Sequence, residues 1–429
     1  HDDTDFKIGQ RHNLDAPKAI NKEGTLTAIT GKYKGMDISE ARKLVVANLK
    51  EQGYLEKTEE MTHRVGHCQR CGTKTEPMIS KQWFVAIKPL AEKAVEAVES
   101  GEIEIVPKNF KKVFFHWMDN IHDWCISRQL WWGHKIPIEG ETDVLDTWFS
   151  SGLWPISTLG WPPSAKATGG KPEKTTDLEY FYPTTVRETG YDILFFWVAR
   201  EIMMCMEMTG KVPFEKVYLH GLVRDPEGRK FSKTKGIGFD PLETIKNYGA
   251  DALRMALVIG NAPGTDLRID EDKVRGYRNF ANKLWNLGRF FNYNLEKNEY
   301  ENYNDIPVYS KELGNLSQED KQIVADLENL IKNVDSYFEK NRYDLAAEDI
   351  YQFTWHRFAD EYIEYSKDAL YGDNEKRKKE TLAVTRHIYY SILKLLHPFM
   401  PFVTEALWQR FPHQTDTPLI VSQWPDLSD

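Results

Sequence analysis

The chain has 429 residues, with 56 Lys and Arg against 65 Asp and Glu, a formal net charge of −9. Composition near the globular average excludes wholesale disorder, and the acidic balance excludes a polyanion binder held by bulk charge. The length predicts about three domains. Four cysteines in this length exclude a disulfide scaffold and fit a reducing compartment, which predicts a cytoplasmic location.

The opening residues, HDDTDFKIG, do not read as a signal peptide. No run of 18 apolar residues exists. The best, Ile193 to Val198, is closed by Arg200 and Glu201, which predicts a buried element and no membrane partner. Asp37 to Leu49 reads as an amphipathic helix, with Ala41, Leu44, Val45 and Leu49 at helical spacing and Gly53 beyond its end. Leu90, Ala94, Val95 and Val98 predict a second helix, ended by Gly101. Glu102 to Val106 alternates like a short strand. Residues 162–177 are a Pro/Gly/Ser/Thr/Lys linker. Short strands and helices then alternate, with Asp192 to Met206 a helix and Val217 to Gly221 a strand.

After Asp270 the pattern is helical only. Ile323, Val324, Leu327, Leu330, Ile331, Val334 and Phe338 form an apolar stripe, opened by Ser317 and Asp320 as a capping box. Ile388, Tyr389, Ile392, Leu395 and Leu396 form another, stopped by Pro398. The run Asp373 to Glu380 reads as a solvated connection between helices. The fold class is therefore α/β followed by all-α.

Two segments carry chemistry. Gly228 to Gly236, GRKFSKTKG, sets Lys230 and Lys233 three residues apart on a Gly-flanked loop. Lysine is a point charge able to follow a moving phosphate, and positive charge there stabilises a leaving pyrophosphate. From spacing alone the segment is equally an exposed basic hairpin. Cys68-Gln-Arg-Cys71 is half a zinc knuckle, two of the four ligands a tetrahedral Zn2+ site needs, with His63 and His67 nearby. Asp192 reads first as a helix N-cap.

Lys230-Phe-Ser-Lys-Thr234 resembles the KMSKS loop of the class I aminoacyl-tRNA synthetases. Glu188 to Arg200 (ETGYDILFFWVAR), His220 to Asp225 (HGLVRD), Asp123 to His134, Asp143 to Ser151, Asn279 to Trp285 and His397 to Glu405 are similar to the valine branch of that family, in the same order. The resemblance implies the second half of a Rossmann-type catalytic domain followed by a helical anticodon-binding bundle. It divides the chain into an editing-domain remnant (1–60), a connective region with the CxxC (61–140), the half catalytic domain (141–275) and the bundle (276–429).

It also implies ATP and Mg2+ as cofactors, and valine and its tRNA as partners of a monomer. Lys230 and Lys233 take the catalytic role, and Gly190, Asp192, His220, Gly221, Ser232 and Lys233 hold ATP or the adenylate. HDDTDF at the start resembles the editing motif, which makes Asp2 and Asp5 candidates for gripping the ammonium of a mischarged threonine. Bases splayed onto aromatics such as Trp355, Phe358 or Trp408 are the implied mode of RNA contact, although most of these aromatics read as bundle core. Departures are equally clear. No HIGH tetrapeptide is present, since Arg64-Val-Gly-His67 runs into the CxxC instead of opening a helix. Phe231 stands for the usual Met. The second Cys pair of the family's zinc site is missing, so Cys68 and Cys71 form a half site. The chain is expected to be a fragment, inactive by itself.

Overall fold

The computed structural model describes residues 3–68, 71–161, 176–231, 240–300, 305–310, 316–411 and 417–425. They form two compact units, His1–Val85 with Cys125–Gln129, and Ala86–Trp124 with Leu130–Asp429. Asp2, Ser232 and Lys233 lie outside the described residues.

In the first unit the predicted helix is Ile38–Glu51, capped by Asp37, whose carboxylate accepts from the Ser39 amide. Asp3–Arg11 is a second helix that the Gly-punctuated sequence did not signal, and Asp5 stands exposed on it. Cys68 opens a tight turn, with its amide donating to Thr73 and the Gly72 amide donating back to Cys68. An antiparallel bridge between His67 and Lys74 closes it. The Arg64 to His67 tetrapeptide thus enters a hairpin and opens no helix.

The second unit holds a three-stranded parallel sheet, β1 (Glu104–Val106), β2 (Thr184–Gly190) and β3 (Phe214–His220), with β3 in the centre. The helix Lys88–Glu99 precedes β1, and Ala199–Thr209 crosses from β2 to β3. Phe214, Val217 and Leu219 of β3 are buried, as a strand between two neighbours requires. A second parallel pair, β4 (Val223–Arg224) and β5 (Leu267–Arg268), lies beyond the end of β3.

The expected helix from Asp192 is three segments, a 3-10 turn at Tyr191–Ile193, a π-helical stretch at Leu194–Val198 and the α-helix Ala199–Thr209. The aromatic run accounts for the wide turn. Phe195 stacks on Trp117, Phe196 on Trp148, and Trp197 lies under Arg187, three directions that one α-helical face does not offer.

The helical part is built on Glu271–Lys297, Gln318–Glu339 and Glu375–Leu396. Phe280, Leu284, Leu327, Ile331, Ile388 and Ile392 meet in one core. Ser317 and Asp320 make the predicted capping box. One reading is corrected. The run from Asp373 is no solvated link: Asn374 caps a helix beginning at Glu375, and Arg377 pairs with the fully buried Asp320. Phe358 and Trp408 are core residues, since each falls on a buried helix face, and Trp355 packs partly buried with its ring stacked on Phe280.

Under the sheet lies Glu201, fully buried, with one carboxylate oxygen accepting from Arg187 Nε at 2.8 Å. Burial outweighs that hydrogen bond and pushes its pKa up to about 7 from an ordinary 4.5. Below pH 4.5 the carboxyl is protonated folded or unfolded. Between 4.5 and 7 the unfolded chain binds fewer protons than the folded one, so stability falls as pH rises and levels off above 7. The total is on the order of 3 kcal/mol, at about 1.4 kcal/mol per pH unit. Melting curves at pH 5, 6, 7 and 8 are expected to show this slope in the wild type and to lose it in Glu201→Gln. An unchanged slope in the variant assigns it to other groups.

Candidate functional site

The sheet ends decide the site. Gly190 and His220 are the last residues of β2 and β3 and are paired in register. Beyond Gly190 the chain turns into the 3-10 segment that carries Asp192. Asp192 makes no helix cap. Its Oδ2 faces the Lys230 ammonium at 3.2 Å. A Cβ on Gly190 would stand 2.9 Å from Asp192 Oδ1 and 3.5 Å from His220 Cε1, so only glycine leaves this corner open. His220 is held from two sides, through Nδ1 at 2.7 Å from the Gly221 carbonyl and through Nε2 at 3.1 Å from Glu188.

Lys230 arrives on a hairpin. The Gly228 amide donates to Asp225, closing a turn over Asp225-Pro-Glu-Gly, and Gly228 has φ +82°. The Asp225 carboxylate accepts from the Arg229 amide at 2.7 Å and its guanidinium at 2.6 Å. Those bonds, led against burial by the Arg229 amide, hold the carboxyl below its usual range. Arg224 and Lys230 then pair as an antiparallel bridge. Phe231 packs against Ala252, Leu253, Ala256, Ile269 and Val274, which gives an apolar residue at this loop position a structural reason.

Beside the hairpin is a cleft of about 460 Å³ lined by Tyr191, Arg224, Gly228, Thr265, Asp266 and Arg268. Arg224 and Asp266 were not singled out from the sequence. The structure thus gathers Gly190, Asp192, His220, Gly221 and Lys230, while Ser232, Lys233 and Asp2 lie outside the described residues. An exposed ion pair such as Asp192–Lys230 is worth less than about 1 kcal/mol, so it costs little to exchange for another partner. Together the corner offers an acceptor for hydroxyls (Asp192), a flat imidazole (His220) and an exposed cation (Lys230).

Among the described residues, Cys68 and Cys71 are joined by no third ligand, and no group of three or more His, Cys, Asp or Glu gathers. His67 Nδ1 is engaged with the Gly72 carbonyl at 2.8 Å. Hydrogen bonding from Thr73 pulls the exposed Cys71 thiol down to about 7, which favours the thiolate but supplies no further ligand. The purified chain is expected to hold well under one zinc per molecule after dialysis. Stoichiometric zinc, lost in Cys68→Ser, is the contrary result.

Comparisons with known proteins follow the same lines. Residues 18–140 and 138–270 match the family model "tRNA synthetases class I (I, L, M and V)", and residues 320–429 match "Anticodon-binding domain of tRNA ligase". The chain is 47% identical to the valine–tRNA ligase of Clostridium tetani, over 100% of this chain and 50% of that protein. It is 45% identical to that of Clostridium acetobutylicum, over 99% and 49%. It therefore spans about half the length of the curated relatives it matches. In fold it is similar to Mycobacterium tuberculosis methionyl-tRNA synthetase in complex with methionyl-adenylate, with TM-score 0.66, 18% identity, 95% of this chain and 79% of that one covered.

Proposed function

The chain belongs to the class I tRNA synthetases, and on that premise we propose that it forms the nucleotide-handling and tRNA-docking part of a valine–tRNA ligase. The observation that carries the reading is the corner itself: one sheet end brings an acceptor carboxylate, a glycine, an imidazole and a hairpin lysine together. Asp192 accepts hydrogen bonds from ribose hydroxyls. Gly190 and Gly221 let the nucleotide approach the backbone. His220 lies against the adenine.

In the reaction a carboxylate oxygen of valine attacks the α-phosphorus of ATP, the bond to the bridging oxygen breaks, and pyrophosphate leaves. Lys230 and Lys233 meet the charge that grows on that leaving group, and Ser232 lies between them in the loop. No protein cluster to hold a metal gathers among the described residues, so Mg2+ would enter on the phosphates of ATP and supply Lewis-acid stabilisation there. A hydroxyl of the terminal ribose of the tRNA then attacks the valyl carbonyl carbon, the bond to the adenylate's phosphate oxygen breaks and AMP leaves; the tRNA's stem and loop dock on the helices after residue 276. Residues 1–60 are read as the remnant of an editing domain, with Asp2 and Asp5 its candidate carboxylates, and 61–140 as a connective region. The cytoplasm is the compartment proposed for this activity.

The test is amino-acid-dependent ATP–pyrophosphate exchange in the protein that carries this chain, with valine, isoleucine and threonine compared. Exchange greatest with valine supports the reading. Preference for isoleucine transfers it to the sister enzyme, and binding of tRNA with no exchange under any amino acid makes it a non-catalytic RNA binder.

A further inference from the structure

Asp266 lies far in sequence from the lysine hairpin, yet its carboxylate collects three donors from the two sides of the nucleotide corner. Oδ1 accepts from the Tyr191 hydroxyl at 2.8 Å and from the Leu222 amide at 2.8 Å. Oδ2 accepts from Arg224 Nε. Tyr191 is the immediate neighbour of Asp192. Leu222 and Arg224 begin the segment that turns back to Lys230, and the Arg224 guanidinium also donates to the Gly228 carbonyl inside the turn at 3.2 Å. One carboxylate therefore clamps the start of the lysine hairpin to the strand end that presents Asp192. Asp266 is itself fixed by backbone pairing on either side, with the Gly264 amide donating to Leu219 and the Leu267 amide to Leu222.

Resting on the functional reading above, we propose that Asp266 is a positioning residue: it sets the base of the lysine hairpin against the adenylate-side residues, so that Lys230 reaches the phosphates while Asp192 holds the ribose. A charged acceptor shared by three donors fixes angle as well as distance. Beyond Gly228 the hairpin continues through the Arg229 bonds to Asp225 and the Arg224–Lys230 bridge, which carry the clamp's position on to Lys230. Loss of the clamp acts on the transition state more than on valine binding, since it displaces Lys230 from the place where the leaving group's charge grows.

Asp266→Asn tests it, because the amide keeps an oxygen for Leu222 and removes the charge that holds Arg224. In the 429-residue chain, hydrogen exchange over 222–231 is expected to speed up while 271–297 stays unchanged. In the protein that carries the chain, kcat for pyrophosphate exchange is expected to fall by about tenfold or more, with KM for valine within about twofold. Asp266→Glu, which retains the charge, recovers part of kcat. Unchanged exchange over 222–231, or a kcat within about threefold of wild type, overturns the proposal. So does faster exchange across the whole unit, which marks plain destabilisation. Lys230→Ala is the control for the premise. If that variant leaves kcat untouched, the phosphate role of the hairpin fails, whatever Asp266 does.

Discussion

Lys233→Ala is expected to slow valine-dependent pyrophosphate exchange by about 100- to 1,000-fold, roughly 3 kcal/mol, the scale for one lost donor to developing charge. The KM for valine is expected to change little, because the interaction is made only as the pyrophosphate leaves. Lys230→Ala is expected to follow in direction with a smaller loss. Its ammonium already has Asp192 as a partner at 3.2 Å, so part of its interaction with phosphate replaces an existing one. The measurement is exchange at saturating and at limiting ATP for both variants. Activity within about threefold of wild type in Lys233→Ala, a barrier change below 1 kcal/mol, removes the loop from the chemistry.

The hairpin was legible because its chemistry is local. Asp225-Pro-Glu-Gly is a turn by composition, and basic residues three apart on a loop point at phosphate. The helical half was legible for the same reason. Its stripes and its Ser317–Asp320 box are written within a few turns of chain. What escaped reading is what spans distance. Nothing in the segment around Asp266 says that its carboxylate closes on Arg224, 42 residues earlier. The charged run from Asp373 looked solvated because all eight of its side chains are polar or charged, but Arg377 finds buried Asp320 on another helix. Phe358 and Trp408 are core, as most of the bundle's aromatics were read, but aromatic type alone did not say which of them would be covered. Periodicity assigns faces, and only packing assigns partners.

Gly221→Ala is expected to be the most damaging single methyl group in the second unit. A Cβ there would stand 1.8 Å from the Thr265 carbonyl oxygen, 2.1 Å from its carbon and 2.6 Å from the Asp266 nitrogen. These are backbone atoms, so no side chain can swing aside. Nor can the two segments part freely. The Gly264 amide bonds Leu219 before the glycine, and the Leu267 and Ile269 amides bond Leu222 and Arg224 after it. Separating them breaks the β4–β5 pairing and the Asp266 clamp together. Overpacking of a tight site costs about 1–3 kcal/mol, and more when only backbone can yield. A loss of about 3 kcal/mol or more is therefore expected in denaturant unfolding, with a thermal midpoint lower by roughly 4 °C or more for a unit of this size.

Gly190→Ala separates this effect from chemistry. Its Cβ would meet Asp192 Oδ1 at 2.9 Å, the tip of a side chain that can rotate away. That variant is expected to keep most of its stability and to bind ATP more weakly, because the rotation moves the carboxylate proposed to face the ribose. If Gly221→Ala unfolds with wild-type stability, the close backbone approach at the end of β3 is wrong, and with it the geometry proposed to seat the adenine beside His220.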